Sequence, residues 1–488
     1  MPDYPNLFID GEWIAPAAGT TFIDLAPATR QPWGEIADAS FADVQRALDV
    51  AAAAQPAWEA AGPMPRADLL NRVAAVIQDR APQLAEVLIH EVGSIRAKAM
   101  GECVAAGGFA KAAAATAWAV KGSVLPSLQD KLNIIERKPV GVVSVISPWN
   151  VPFSLSMRSV AYALALGNTV VLKPSEESPV SGGLMLAEVF EAAGCPPGVL
   201  NVVSCSRANV AEIGELMVAH PAVGTIAFTG SEAVGRILGA AAGRHLKKAD
   251  LELGGNDAAI ILADADLDAA LDATVFGAFQ HAGQICMATK RIIVEEPIAE
   301  EFTGRLVERV RALKYGDPTD PDTAVGPIIN DEGVAKLADA IDDAKAKGAE
   351  VLVGGGVEGP YVQPTLLAGV GVGMKAHSEE LFGPVRAVYT AADADEALAI
   401  ANDSDYGLSG AIWTEDEQRG LDLAARFETG MVHINDTTIS AEPHVPFGGV
   451  KSSGIGRNGG EGSIEAFTET VWRGVRRSPP PIPPMFRG

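Results

Sequence analysis

The spacing of apolar residues changes along the chain, and this change predicts a helical region followed by an alternating one. From about residue 40 to 118, apolar positions recur at helical intervals among Ala, Arg and Glu, and the Ala-rich stretch 104–119 is a further helix candidate. Ahead of this region, residues 7–13 have the pattern of two short strands around the turn Asp10-Gly11. The N-terminal region is therefore predicted to be mostly helical.

From Val140 onward, short apolar runs alternate with helical stretches. The predicted strands are 140–146, 169–172, 199–203 and 225–229, and the helices that follow them end near residues 166, 193, 219 and 242. Such alternation indicates a parallel sheet with helices on both faces, a Rossmann-like α/β architecture that binds ligands at the carboxyl ends of its strands. A second alternating set begins at 258–262 and continues past residue 430, which predicts a second α/β domain.

Composition and charge narrow the class of protein. Hydrophobic residues make up 48% of the 488 residues and charged residues 20%, the mixture of a globular protein with large cores. The formal net charge of −24 argues against nucleic acid and anionic membranes as partners.

No apolar run is long enough to span a bilayer, and no signal peptide is apparent. The four cysteines are scattered without clustered histidines, so we expect no metal site and a reduced, cytoplasmic environment.

A carboxylate and a thiol stand in two glycine-containing cassettes, and together they predict thiol-based acyl chemistry. The cassettes are Leu251-Glu252-Leu253-Gly254-Gly255 and Gly283-Gln284-Ile285-Cys286-Met287. A thiol attacks a carbonyl carbon, and a carboxylate activates the water that later removes the acyl group. The adjacent glycines let backbone and cofactor approach the sulfur closely. We therefore predict Cys286 as the nucleophile and Glu252 as the general base.

With further motifs in the same order, the chain resembles the aldehyde dehydrogenase superfamily over most of its length. Besides the two cassettes, the motifs are Pro148-Trp149-Asn150, Lys173-Pro174-Ser175-Glu176, Phe228-Thr229-Gly230-Ser231, Glu380-Leu381-Phe382-Gly383-Pro384 and Pro446-Phe447-Gly448-Gly449-Val450-Lys451-Ser452-Ser453-Gly454. The resemblance implies an α/β fold with a Rossmann-like NAD-binding domain, a second α/β catalytic domain and a small bridging β segment. The expected boundaries are 1–118 and 140–253 for the NAD-binding domain, 254–452 for the catalytic domain, and 119–139 and 470–488 for bridging segments. We expect these bridging segments to join subunits in a homodimer or homotetramer, and the proline-rich tail from Ser478 to be extended.

The resemblance also implies roles for individual residues. Asn150 is expected to hold the oxyanion that forms when sulfur attacks the aldehyde. Lys173 and Glu176 are expected to bracket the adenosine ribose, where the Glu176 carboxylate would repel a 2′-phosphate and favour NAD over NADP. Glu380 is expected to bind the nicotinamide ribose and Phe382 to pack beside the ring. The residues predicted to contact NAD are Ile146, Ser147, Pro148, Trp149, Lys173, Ser175, Glu176, Gly230, Ser231, Gly235, Leu253, Glu380 and Phe382.

The loop Gly230–Gly235 has the spacing GxxxxG rather than GxGxxG, so the ordinary dinucleotide fingerprint is absent. It nevertheless follows a predicted strand and opens a predicted helix, and free N–H groups at a helix N-terminus bind phosphate. The superfamily that the chain resembles binds its dinucleotide in this atypical way.

The expected reaction is oxidation of an aldehyde to the carboxylic acid by NAD, through a thiohemiacetal and a thioester on Cys286. The stretches 281–287 and 444–449 resemble the benzaldehyde and vanillin dehydrogenase branch, so we expect an aromatic aldehyde. Aliphatic aldehydes and semialdehydes are the alternative substrates. Two other functions stay open: a CoA-acylating dehydrogenase, against which Glu252 argues, and a non-catalytic protein of the same fold, against which the intact set of site residues argues.

Overall fold

The structure is a computed structural model that describes residues 3–480 and 482–486. Its α-helices are Phe41–Ala60, Pro63–Val92, Arg96–Ala119, Pro152–Ala165, Met185–Ala192, Val210–Ala219, Glu232–His245, Leu267–Phe279, Glu296–Arg311, Asp331–Ala346, Lys375–Ser378, Ala394–Asn402, Glu417–Ala424 and Gly460–Phe467. A π-helical turn covers Val180–Leu184, and 3₁₀ turns cover Gln280–Gly283 and Pro484–Phe486. Within the described ranges, no helix combines the length and apolar character needed to cross a membrane.

Eight strands form the sheet that the first alternating pattern predicts. In spatial order they are Gly454–Ile455, Lys248–Glu252, Val223–Thr229, Val142–Ile146, Thr169–Lys173, Leu200–Val202, Leu7–Ile9 and Glu12–Ile14. The five strands from Lys248–Glu252 to Leu200–Val202 are parallel, and the pairings at both edges are antiparallel. The four predicted strands of this region are confirmed within one or two residues, as is the strand pair around Asp10-Gly11.

The central strands Val142–Ile146 and Thr169–Lys173 are buried at every position because helices cover both faces of the sheet. In the strand Val142–Ile146, side chains alternate between the faces: Val143 and Val145 belong to one core, and Val142 and Ile146 to the other. Helices such as Pro63–Val92 and Arg96–Ala119 contribute to the first core, whereas Phe41–Ala60 and Val210–Ala219 contribute to the second. The predicted parallel sheet with helices on both faces is confirmed.

A second sheet carries the second alternating pattern. Its strands in spatial order are Glu350–Val353, Thr365–Ala368, Val385–Ala391, Arg291–Glu295, Ala258–Ile261, Ser409–Trp413 and Met431–Ile434. All neighbours are parallel except the first pair. Residues of the strand Ala258–Ile261 again alternate between two cores, so this sheet too is covered on both faces.

A third, antiparallel sheet stands apart from these two. Its strands are Thr468–Arg476, Lys131–Pro139 and Ser123–Leu125, which fall on the segments expected to be separate strands. The smaller sheets pair Asp3–Tyr4 and Thr21–Leu25 with Pro32–Ala37, Val357–Glu358 with Tyr361–Val362, and Tyr406–Gly407 with Val450–Lys451.

Two sequence-based expectations need comment. The tail was expected to be extended, but Pro484–Phe486 forms a 3₁₀ turn, because the dihedral angle of proline also suits the first residue of a helical turn. Pro481, Arg487 and Gly488 lie outside the described residues. The predicted domains leave 453–469 unassigned, and the structure pairs Gly454–Ile455 with the end of strand Lys248–Glu252 in the first sheet. The division into domains itself stays a prediction.

Candidate active site

A cavity of about 540 Å³ lies where the carboxyl ends of the parallel strands meet the loops that lead into the second sheet. The predicted site residues that line it are Ile146, Ser147, Pro148, Trp149, Asn150, Lys173, Ser175, Glu176, Gly230, Ser231, Leu253, Cys286, Glu380 and Phe382. Glu252 and Gly235 are the predicted residues that do not line it. The structure thus brings together residues from most of the motifs named above in one cleft.

One end of the cavity carries a small charged cluster around Glu176. The Lys173 ammonium is buried, donates a hydrogen bond to the Pro174 carbonyl at 3.0 Å, and lies 3.8 Å from Glu176 Oε2. On the other side, Arg207 Nε lies 3.9 Å from Glu176 Oε1, and its side chain is 69% exposed. The sequence showed Lys173 but not Arg207, which belongs to a loop remote from the Lys173 motif. Glu176 is therefore flanked by two cations rather than by one.

Ser231 begins the helix Glu232–His245 at the wall of the cavity. Its side chain accepts a hydrogen bond from the Val234 N–H at 3.5 Å, which caps the helix. Gly235 lies in the next turn, where an added Cβ would sit 2.3 Å from Leu253 Cδ2. Gly235 does not line the cavity, and its contact with the cofactor stays a prediction. Instead, the glycine lets the helix pack closely against Leu253, which does line the cavity.

Glu380 and Phe382 occupy the other part of the cavity. Glu380 Oε1 accepts a hydrogen bond from the Gly255 N–H at 3.0 Å. Gly254 makes room for this carboxylate, because an added Cβ would lie 2.2 Å from Glu380 Oε2. Phe382 packs edge-on against Trp149, with ring centroids 5.4 Å apart. Burial raises the pKa of Glu380, and the nearby Lys290 ammonium opposes this rise.

Cys286 is partly accessible and faces the cavity. Burial raises the pKa of its thiol to about 12, the Lys290 charge opposes this, and the carboxylates of Glu252, Glu380 and Asp257 add to the rise. Burial also raises the pKa of the other thiols, to about 12 for Cys103 and Cys195 and about 11 for Cys205. Thiol acidity therefore does not single out Cys286; its position in the cavity does.

Asn150 is hydrogen-bonded to the loop that carries Cys286. Its side-chain Nδ2 donates a hydrogen bond to the Gln284 backbone carbonyl at 2.9 Å, and the Asn150 backbone carbonyl accepts one from Lys98 Nζ at 2.9 Å. Lys98 is in turn paired with the buried Glu102 at 2.6 Å. Because Nδ2 carries two hydrogens, the second N–H of Asn150 can donate a hydrogen bond to a negatively charged substrate oxygen.

Glu252 ends its strand in a buried position behind the cavity wall. The residue is 2% exposed, and neither carboxylate oxygen has a hydrogen-bond partner within the described residues. Burial raises its pKa to about 8, Arg158 opposes the rise, and Asp250 adds to it. The Arg158 guanidinium, itself buried, stacks over the Phe447 ring at 4.5 Å from the centroid. A carboxyl group with a pKa near neutrality suits a general base.

Comparison with known proteins shows the family to which a chain with this site belongs. The model of the aldehyde dehydrogenase family matches residues 13–472, so the chain belongs to the aldehyde dehydrogenase family. It is 43% identical to a vanillin dehydrogenase of Corynebacterium glutamicum over 98% of both chains. It is 40% identical to a benzaldehyde dehydrogenase [NAD(+)] of Pseudomonas putida over 99% of both chains. A crystal structure of a salicylaldehyde dehydrogenase from Pseudomonas putida G7, complexed with salicylaldehyde, has a TM-score of 0.96 at 37% identity and covers 98% of this chain and 99% of its own.

Proposed function

We propose that this chain oxidises an aromatic aldehyde, similar to benzaldehyde or vanillin, to the carboxylic acid, with NAD as the oxidant. The observation that carries the proposal is the position of Cys286, which faces the same cavity as Asn150. The Asn150 amide is hydrogen-bonded to the Cys286 loop at Gln284, and the charge of buried Glu252 helps to raise the pKa of the thiol. Oxidation through a thioester requires a nucleophile, an oxyanion donor and a base, and these three residues supply them. The names of the relatives support an aromatic substrate.

The residues around the cavity fit a dinucleotide. The first turn of the helix Glu232–His245 offers N–H groups to a pyrophosphate next to Ser231. Glu176 and Glu380 provide one carboxylate for each ribose, and the absence of a side chain at Gly254 keeps Glu380 at the cavity. When bound, NAD supplies the hydride acceptor. The remaining chemistry belongs to the protein.

The proposed sequence of events begins with addition of the Cys286 sulfur to the aldehyde carbon. Because the pKa of this thiol is about 12, a base must remove its proton, and Glu252 is the candidate. The free N–H of Asn150 and the Cys286 backbone N–H hold the oxyanion of the thiohemiacetal. Loss of hydride leaves a thioester on Cys286. Glu252 releases the thiol proton to solvent and then takes a proton from water, and the resulting hydroxide attacks the thioester. The C–S bond breaks, the carboxylic acid leaves, and the proton held by Glu252 returns to the Cys286 sulfur.

Relative kcat/KM values for benzaldehyde, vanillin, hexanal and succinate semialdehyde, measured with NAD, test the substrate class. We expect the two aromatic aldehydes to exceed the other two by about tenfold or more, equivalent to about 1.4 kcal/mol. Higher values for hexanal or the semialdehyde would overturn the aromatic assignment. Adding CoA tests the acylating alternative, since a CoA thioester should not form when Glu252 directs water to the acyl-enzyme.

The proposed preference for NAD over NADP depends on Glu176. A 2′-phosphate at the adenosine ribose would meet this carboxylate, and like charges in contact disfavour binding. Lys173 and Arg207 lie 3.8 and 3.9 Å from it and offset part of the repulsion. The preference should therefore be clear but incomplete.

We also propose a homodimer or homotetramer, held together through the antiparallel third sheet. Several apolar side chains of this region are exposed in the single chain: Val124, Leu125, Trp472 and Val475. Light scattering after gel filtration tests this, and a monomer would refute it. A cytoplasmic location is proposed as well, supported by the four free thiols.

A further inference from the structure

A buried lysine lies between the loop that carries Cys286 and the loop that carries Glu380. The Lys290 side chain is 3% exposed. Its Nζ donates one hydrogen bond to the Ile285 carbonyl at 3.1 Å and another to the Cys286 carbonyl. The same nitrogen lies 3.5 Å from Glu380 Oε1. An ammonium has three donors, so these contacts account for all of them.

This lysine connects the proposed nucleophile to the proposed ribose carboxylate through direct contacts. Glu380 Oε1 also accepts from the Gly255 N–H, which follows the Glu252 strand. A second buried cation, Arg386, joins the same two loops, since it donates to the carbonyls of Gly283 and Leu381 at 3.2 and 3.4 Å. The hydrogen bonds of Arg386 go to backbone carbonyls alone, whereas Lys290 also forms an ion pair with a carboxylate of the cavity.

We propose that Lys290 is a positioning residue that holds the Cys286 backbone and the Glu380 carboxylate together, so that dinucleotide contact at Glu380 and thiol reactivity at Cys286 depend on each other. The proposal rests on the proposed function, which assigns Glu380 and Cys286 their roles. The physical reason is that one buried cation holds the Cys286 backbone carbonyl and lies 3.5 Å from Glu380, so that its charge acts on both the thiol and the carboxylate. A ribose hydroxyl that donates a hydrogen bond to Glu380 weakens the ion pair between Glu380 and Lys290. The Lys290 charge then stabilises the Cys286 thiolate more strongly.

The charges around the sulfur agree with this geometry. Lys290 lowers the pKa of the Cys286 thiol, whereas Glu252, Glu380 and Asp257 raise it. Removing the lysine charge should therefore make the thiol less reactive, and removing the Glu380 charge should make it more reactive. A residue that only filled space between the loops would not produce effects of opposite sign.

The experiment measures the rate at which iodoacetamide alkylates Cys286 between pH 6 and 10, with and without NAD, with the labelled cysteine identified by peptide mass spectrometry. Lys290→Met keeps the length of the side chain and removes its charge. We expect alkylation at pH 8 to slow about tenfold and the Kd for NAD to rise about tenfold, corresponding to loss of a hydrogen-bonded charge. Lys290→Arg should restore much of both. Lys111→Met, on an exposed helix position, is the matched control and should match the wild type.

A second variant keeps the proposal testable if Lys290→Met does not fold. Glu380→Gln should speed alkylation in the absence of NAD, and NAD should then no longer change the alkylation profile. Unchanged alkylation and unchanged NAD affinity in Lys290→Met, or slower alkylation in Glu380→Gln, would overturn the proposal. A failure of the proposed function would be recognised by a different result. If Cys286 were not the nucleophile, wild-type enzyme alkylated at Cys286 would still oxidise the aldehyde.

Discussion

Replacing Glu252 with Gln should separate the two halves of the proposed reaction. The substitution keeps the size of the side chain but removes the base that activates water. Hydride transfer precedes hydrolysis, so one equivalent of NADH should still form in a burst at alkaline pH, where hydroxide replaces Glu252 as the acceptor of the thiol proton. Near neutral pH the burst should be slow. Steady turnover should then fall by about a hundredfold or more, the usual contribution of a general base. Stopped-flow absorbance at 340 nm measures both phases.

The structure also gives the expected pH dependence of the wild-type enzyme. Burial raises the pKa of Glu252 to about 8. The deprotonated carboxylate is the base, so activity is present above this pH and is lost as the pH falls through it. The ionised fraction therefore grows as the pH rises from 7 to 9, and the hydrolytic rate should rise severalfold over this interval. In Glu252→Gln the dependence on this group should disappear.

Several outcomes would refute this reasoning. Normal steady turnover in Glu252→Gln would remove the residue from the mechanism. Loss of the burst even at alkaline pH, with NAD binding intact, would show that hydroxide does not replace Glu252 at the thiol and that the substitution does not separate the two halves. A wild-type hydrolytic rate that is flat between pH 6 and 9 would mean that the buried carboxyl does not titrate as the geometry implies. Glu300→Gln, at an exposed position, is the control for a change of charge without burial.

Three further predictions follow from the cavity. Cys286→Ala should abolish aldehyde oxidation while NAD binding, measured by fluorescence titration, stays within about twofold of wild type; retained turnover would exclude the residue as nucleophile. Wild-type kcat/KM should favour NAD over NADP by roughly tenfold. Glu176→Ser should narrow that ratio and Arg207→Ala should widen it, and an unchanged ratio in both would show that neither selects the cofactor. Gly254→Ala should raise the KM for NAD about tenfold, because the new Cβ would lie 2.2 Å from Glu380 Oε2; a normal KM would show that Glu380 can move without cost.

The parallel strands were predictable because burial on both faces leaves a strong signal. Strands such as Val142–Ile146 are buried throughout and apolar except at Ser144, and no surface position interrupts them. Edge strands leave weaker signals, and Gly454–Ile455 has only two residues, one of them a glycine. It joins the first sheet by pairing with Leu251 and Glu252, a contact between distant parts of the chain. Local periodicity carries no information about such a pairing.

The sequence motifs identified those residues of the candidate site that occur in short runs of neighbouring site residues. Lys290, Arg207 and Arg158 were missed for a common physical reason: a cation in a sequence is ordinarily a solvated surface charge. Lys290 is buried only because Glu380 and the carbonyls of its own loop surround it. A basic residue four positions after the nucleophile, directly before an apolar strand, was the one available signal.

Glu380 and Glu252 show how the surroundings of a buried carboxyl group can suit it to different tasks. Glu380 has a cation at 3.5 Å and a backbone N–H at 3.0 Å, so its charge is compensated and suits hydrogen bonding to ribose hydroxyls. Glu252 has no hydrogen-bond partner among the described residues, and its raised pKa makes it able to accept a proton near neutral pH. Glu252, the proposed base, also belongs to the first sheet, whereas Cys286, the proposed nucleophile, lies on a loop that leads into the second. The distance between these two residues therefore depends on how the two sheets pack, and changes at that interface should slow hydrolysis of the thioester.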